Sequence, residues 1–155
     1  MERNSDLLSL GSALRDLTRD LMRTGRRVAG VEPLPETEVD VIKLVVHRPG
    51  MSPGRLAAEL RIKPSNVSAA LRRLAAAGLV VRETDPADRR ATRVLPTAQA
   101  IRNVHNVERA RAALLDQALA ALPAADRAAV LAAIPSLQAL QTAVRELARP
   151  GGLHE

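Results

Sequence analysis

The chain has 155 residues and a formal net charge of +6, which suits one domain, or one small domain with the elements that pair it to a second copy. Hydrophobic residues make up 46% of it, yet none is Phe, Trp or Tyr, so Leu, Val, Ile, Ala and Met must build the core and no ring can stack on an unpaired base. The absence of cysteine excludes disulfides, thiolate metal sites and thiol-based redox sensing, while a polar start over residues 1–6 and the lack of an apolar run near the roughly 18 residues of a membrane span predict a cytoplasmic protein without a membrane partner.

Leu7, Leu10, Leu14, Leu17 and Leu21 recur at spacings of three and four, which predicts one amphipathic helix over 6–27. Gly25 and Gly30 loosen its end, and Pro33 and Pro35 restart the chain into a second helix over 35–47 with Val39, Ile42, Val45 and Val46 facing inward. Pro49 and Gly50 stop it. Ser52 followed by Pro53 is a strong start for a third helix, because the hydroxyl caps a backbone N–H and a proline in the first turn loses no hydrogen bond. That helix runs to Leu60, burying Leu56, Ala57 and Leu60 and leaving Arg55 and Glu59 outside. Arg61, Ile62 and Lys63 form a short turn, Pro64 opens a fourth helix ending near Ala77, and Gly78 supplies a left-handed terminus.

Residues 79–84 and 92–95 are β-prone and flank a charged turn, a two-stranded hairpin. A fifth helix begins near Thr97 and continues to about Ala121, with Ile101, Val104, Val107, Leu114, Leu115 and Leu119 apolar. Pro123 begins a sixth, Pro135 predicts a kink or a break, and Leu137, Leu140, Val144 and Leu147 stay in register to the end of the last helix. Residues 149–155 read as a flexible tail.

Charge is concentrated in one part of this layout. Between residues 52 and 97 nine basic side chains stand against four acidic ones, which leaves 14 of the 23 basic and 13 of the 17 acidic residues for the rest of the chain. The segment is thus +5 and the remainder +1. A basic patch confined to a helix, a turn, a second helix and a hairpin suits a phosphate backbone, because each neutralised phosphate releases condensed counterions. On the fourth helix Val67, Ala70, Leu71 and Leu74 share one face, and Ser65, Asn66, Ser68, Ala69, Arg72 and Arg73 lie on the other. Short side chains near the start of such a helix let it enter a major groove, where Asn and Arg can pair with base edges. At the hairpin tip one arginine of Arg89 and Arg90 can enter a narrow minor groove while Asp88 orients its neighbour. Ser52, Arg55 and Lys63, near the helix starts, are the candidate phosphate contacts.

The runs Leu56-Ala57-Ala58-Glu59-Leu60, Ser65-Asn66-Val67-Ser68, Leu71-Arg72-Arg73-Leu74, Gly78-Leu79-Val80 and Asp85-Pro86-Ala87-Asp88-Arg89-Arg90 resemble the MarR family of regulators, and the helical flanks match over nearly the whole chain. The resemblance implies a mainly α fold with a small β-wing, a winged helix-turn-helix joined to a helical dimerisation region. It further implies that Arg90 is the minor-groove arginine, Asp88 its orienting carboxylate, and Ser65, Asn66, Ser68, Ala69 and Arg72 the major-groove surface. The chain departs from the family after the wing: Pro96 stands for a leucine and Ala100 for a glycine, with Thr97 kept between them. Loss of the Pro96 N–H predicts a slightly shortened second strand without loss of DNA binding.

The expected organisation is an N-terminal dimerisation helix over 1–34, a DNA-binding domain over 35–96, C-terminal dimerisation helices over 97–148 and the tail over 149–155. Leu7, Leu10 and Leu14 at one end, and Leu137, Leu140, Val144 and Leu147 at the other, form stripes wider than one chain needs and are the expected dimer interface. The function implied is a homodimeric repressor on a pseudo-palindromic operator in double-stranded DNA, released by a small anionic or phenolic effector in an aliphatic pocket edged by arginine, His47 or Met22. The rival is a winged-helix module that binds protein without sequence-specific DNA binding; it would not need basic residues gathered on the reading helix and wing. An enzyme is not expected, since there is no glycine-rich phosphate loop and no cysteine nucleophile, and His47, His105 and His154 are scattered. No metal site or cofactor is expected either.

Overall fold

The computed structural model describes residues 2–84, 86 and 91–148, with side chains from residue 4 onward, and divides into two compact units, Met1–Leu114 and Leu115–Glu155. The elements are α1 (Glu2–Val28), α2 (Glu36–His47), α3 (Pro53–Leu60), α4 (Pro64–Ala76), β1 (Val80–Thr84), β2 (Thr92–Pro96), α5 (Ala98–Ala120), α6 (Ala124–Ala132) and α7 (Ile134–Leu147). The boundary between the units falls inside α5.

In the first unit, α2, α3 and α4 close over a core that includes Val41, Val45, Leu56, Val67, Leu71 and Leu74, joined by Val94 from the hairpin and Ala100 and Val104 from α5. Each fully buried Leu or Val there contributes about 1.5–3 kcal/mol relative to exposure, and this apolar burial holds the three helices in one packing. Helix α2 is rotated from the expected face. Val41 joins Ile42 and Val45 in the core, while Val39 and Val46 are only half-buried, because the buried face follows positions 38, 41, 42 and 45. On α5, Val104 and Val107 are buried as expected, but Ile101 and Leu115 lie exposed.

The turns follow local stereochemistry. Ser52 adopts an extended backbone and its Oγ accepts from the Arg55 N–H at 3.2 Å, with Pro53 in the first turn of α3. Arg61 terminates α3 in the left-handed region at φ 55°, and the Ile62 N–H returns to the Ala57 carbonyl at 3.1 Å. Gly78 does the same after α4 at φ 68°, with the Leu79 N–H bonded to the Leu74 carbonyl at 2.9 Å. Both closures bring the chain round sharply, so α3, the turn and α4 are held at fixed ends.

β1 and β2 pair antiparallel from Val80↔Pro96 to Thr84↔Thr92. The expected shortening at Pro96 does not occur. The Thr97 N–H donates to the Leu79 carbonyl at 3.0 Å just beyond the sheet, which makes Val80 and Pro96 a non-hydrogen-bonded pair. At that register the ladder asks no N–H of Pro96, so β2 matches β1 at five residues. By the same alternation Val94 turns its polar groups away from β1. There its N–H meets the Met51 carbonyl at 3.0 Å and its carbonyl accepts from the Gly50 N–H at 2.9 Å. The Thr97 hydroxyl donates to the Gly78 carbonyl at 2.8 Å and accepts from the Ala100 N–H at 3.2 Å, so one residue caps α5 and ties it to the end of α4.

In the second unit Pro135 produces a break. α6 ends at Ala132, and α7 restarts at Ile134 with the proline in its first turn, where no amide partner is needed. No residue of α6 or α7 is buried. Among the described residues no helix is long and apolar enough to cross a membrane.

Candidate nucleic-acid interface

Burial of Val67, Ala70, Leu71 and Leu74 decides the orientation of α4, and it leaves Ser65, Asn66, Ser68, Arg72 and Arg73 exposed, with Ala69 half-buried between them. The start of α4 has no side-chain cap; Pro64 has no N–H and the Asn66 N–H donates to the Lys63 carbonyl at 2.9 Å, which leaves the Ser65 N–H for an external acceptor. Lys63, directly before α4, and Arg55, in the first turn of α3, are exposed. Ser52 is half-buried; its Oγ accepts the capping bond, and its own proton is left for another acceptor.

Six of the nine basic residues between 52 and 97 thus divide by their partners. Arg73 Nε is ion-paired to Glu38 of α2, a carboxylate only 3% exposed. Arg93 pairs with Glu83, its register partner across the hairpin, at 2.9 Å, and its Nε finds no further partner among the described residues. Arg55, Lys63, Arg72 and Arg82 are exposed and make no ion pair with another described residue. A further pair, Arg48 with Glu59, joins the end of α2 to α3. The wing-tip residues Asp88, Arg89 and Arg90 lie outside the described residues, as does the tail over 149–155. Leu7, Leu10 and Leu14 of α1, and Leu137, Leu140, Val144 and Leu147 of α7, are all exposed on this chain.

A cavity of about 360 Å³ lies within the first unit. Val31, Leu34, Val39, Ile42, Leu79, Val104 and Val107 supply apolar wall, and Arg26, Lys43 and Arg111 supply three cations against the single carboxylate of Glu32. Arg111 is 8% exposed and its Nε has no hydrogen-bond partner among the described residues. Burial first, then the like charge of Arg26, holds its guanidinium below the usual arginine range, against an opposing pull from Glu108. Gly25 makes room for this side chain: a Cβ there would stand 2.5 Å from Arg111 Cγ. His47 and Met22 are not among the walls; His47 is exposed, with Nε2 2.9 Å from Glu108 Oε1. Among the described residues no group of three His, Asp or Glu is placed to hold a metal ion.

Sequence reasoning missed Glu38 and Arg111, although each carried a signal. Glu38 occupies the 38, 41, 42, 45 stripe of α2, and Arg111 the 100, 104, 107, 111 stripe of α5, so each is a charge written into an apolar register.

A sequence profile described as the MarR family matches residues 32–91, from just before α2 through β1 and up to the start of β2. A protein of Pseudomonas aeruginosa assigned as a transcriptional regulator is 33% identical over 88% of this chain and 96% of its own, with a TM-score of 0.70. A MarR family protein from Bacillus stearothermophilus shares the fold at 17% identity and a TM-score of 0.71, over 90% of this chain and 97% of its own. The FabT protein of Streptococcus pneumoniae, solved in complex with DNA, does so at 16% identity and a TM-score of 0.70, over 89% and 99% respectively. No curated protein matches the chain in sequence.

Proposed function

From the premise that this chain belongs to the MarR family of DNA-binding transcription regulators, we propose that it acts as a homodimeric repressor, with one α4 from each copy in the major groove of a pseudo-palindromic operator. The observation that carries this reading is the outer face of α4: an uncapped helix start followed by Ser65, Asn66, Ser68 and Arg72, all exposed over a sealed apolar face. Small residues allow close approach, and Asn66 and Arg72 have the donors and acceptors for adenine and guanine edges. Lys63, Arg55 and Ser52 flank this face as phosphate partners, and the wing residues Asp88, Arg89 and Arg90 extend the contact to the minor groove. FabT crystallised on DNA supports the same use of the fold. The exposed leucine stripes of α1 and α7 support pairing of two copies and the division of the chain into a reading head over 35–96 and dimerisation helices on either side; a pseudo-palindromic operator would then require the two heads to stand about one DNA turn apart.

Release by a small anionic or phenolic effector completes the proposal. The cavity supports it: a buried guanidinium with no hydrogen-bond partner at Nε among the described residues, in an aliphatic chamber, gains most from an anion that also covers the wall. The ligand acts as a switch only if it favours one spacing of the heads over the other.

Binding of the purified protein to the DNA upstream of its own gene, against a scrambled duplex and over a salt series, tests the reading. Preferential, salt-dependent binding that Arg90→Ala weakens is expected. Equal weak binding to both duplexes, unaltered by the substitution, would reject it and favour the protein-interaction module.

A further inference from the structure

Among the described residues Glu38 is the buried carboxylate of the reading head, at 3% exposure, and its only ion pair there is with Nε of Arg73 on α4. The remaining contact face of α4, Val67, Ala70, Leu71 and Leu74, is wholly apolar. Apolar contact is not directional, so it sets how closely α4 lies on its neighbours better than how the helix is rolled about its own axis. A charge-assisted hydrogen bond is directional. The requirement for roll is strict: with side chains a helix has a radius of about 5–6 Å, so a roll of about 20° displaces a side-chain tip by about 2 Å, several times the roughly 0.5 Å that a binding constellation tolerates. Arg73 follows Arg72 directly and lies five residues from Ser68. A clamp at Arg73 therefore registers the whole outer face.

The pair also alters the charge account of the interface. A guanidinium compensated by a buried carboxylate has a partner before DNA arrives, whereas the exposed Lys63 and Arg72 have no ion-pair partner among the described residues.

We infer that Glu38 and Arg73 are positioning residues that fix the roll of α4, so that Arg73 sharpens sequence discrimination without acting as a phosphate contact. This rests on the DNA-binding reading above. It removes Arg73 from the reading face and leaves Arg72 as the arginine of α4 that meets DNA.

The test compares Arg73→Gln, Arg73→Lys, Glu38→Gln and Lys63→Gln on the upstream and scrambled duplexes across a salt series, using the full chain. Lys63→Gln should lower the slope of log affinity against log salt by about 0.9 and leave discrimination unchanged. Arg73→Gln should keep the wild-type slope but lose about tenfold in discrimination. Arg73→Lys, which keeps the charge and loses Nε, should not restore it. Glu38→Gln should raise the slope by about 0.9, because Arg73 is then uncompensated, and should also lose discrimination. A slope that falls in Arg73→Gln as in Lys63→Gln, with full discrimination in Arg73→Lys, would overturn the inference. Hydrogen exchange of the α4 amides without DNA separates its failure from that of the DNA reading. Faster exchange in Glu38→Gln and in Arg73→Gln, with no further gain in the double variant, supports the clamp; unchanged exchange rejects it even if no duplex is bound.

Discussion

The reading head and the terminal helices treat the same kind of side chain in opposite ways. In the head, Leu56, Leu71 and Leu74 are completely buried by their own chain. On α1 and α7, leucines at equally regular helical spacing stay exposed, Leu7 at 59% and Leu147 at 53%. Periodicity alone therefore says that a helix has an apolar face, not what covers it. In the head the tight ends at Ser52, Arg61 and Gly78 fold α2, α3 and α4 back on one another, while the apolar faces of α6 and α7 find no cover within their own unit.

The sharpest way to test this contrast is to make one substitution in both places. Leu71→Ala should cost about 2–5 kcal/mol of folding stability, read by urea denaturation, because it opens a cavity in a sealed core. Leu140→Ala should leave the unfolding of dilute protein within about 0.5 kcal/mol and instead weaken self-association by about 1.5–3 kcal/mol, measured by sedimentation across a concentration series. Equal losses of folding stability at the two sites would mean that α7 is already covered within one chain. Ser52→Ala probes the ends of the head and should cost about 1 kcal/mol by removing the acceptor of the Arg55 N–H.

The smallest effect concerns Asp40, whose carboxyl is pushed above the usual range by burial and by Glu36, against an opposing pull from Lys43. An acid raised in the folded state holds its proton more tightly there than in the unfolded chain, so its ionisation detracts from stability as pH rises through the carboxylate range. Asp40→Asn should therefore give a small rise in Tm at pH 7 that vanishes once the pH falls below that range. A lower Tm at pH 7 would show that Asp40 is stabilised as a carboxylate.

Much of the fold was legible because its signals are local. Ser52-Pro53, Pro64, Gly78 and Pro135 each restrict the backbone or remove a donor where they stand, and the helix ends follow them closely. The outer face of α4 was legible for a related reason, since the burial of four aliphatic residues dictates which others remain outside. Pro96 shows the limit. Whether its missing N–H matters depends on whether the pairing register falls on a bonded or an unbonded position, and register belongs to two strands together. The face of α2 shows another: 39, 42, 45, 46 and 38, 41, 42, 45 are neighbouring readings of one apolar pattern, and the packing of α2 chose between them.

The sequence by itself therefore determined where most helices begin and end, and which segment carries the excess positive charge, because both depend on residues adjacent in the chain. Only the tertiary structure decided which of those charges are already paired. Arg73 reaches Glu38 across 35 positions, and Arg111 is buried beside a cavity whose walls begin at Arg26. The energy of a charge depends on what surrounds it in space, and that neighbourhood exists only once distant segments have packed.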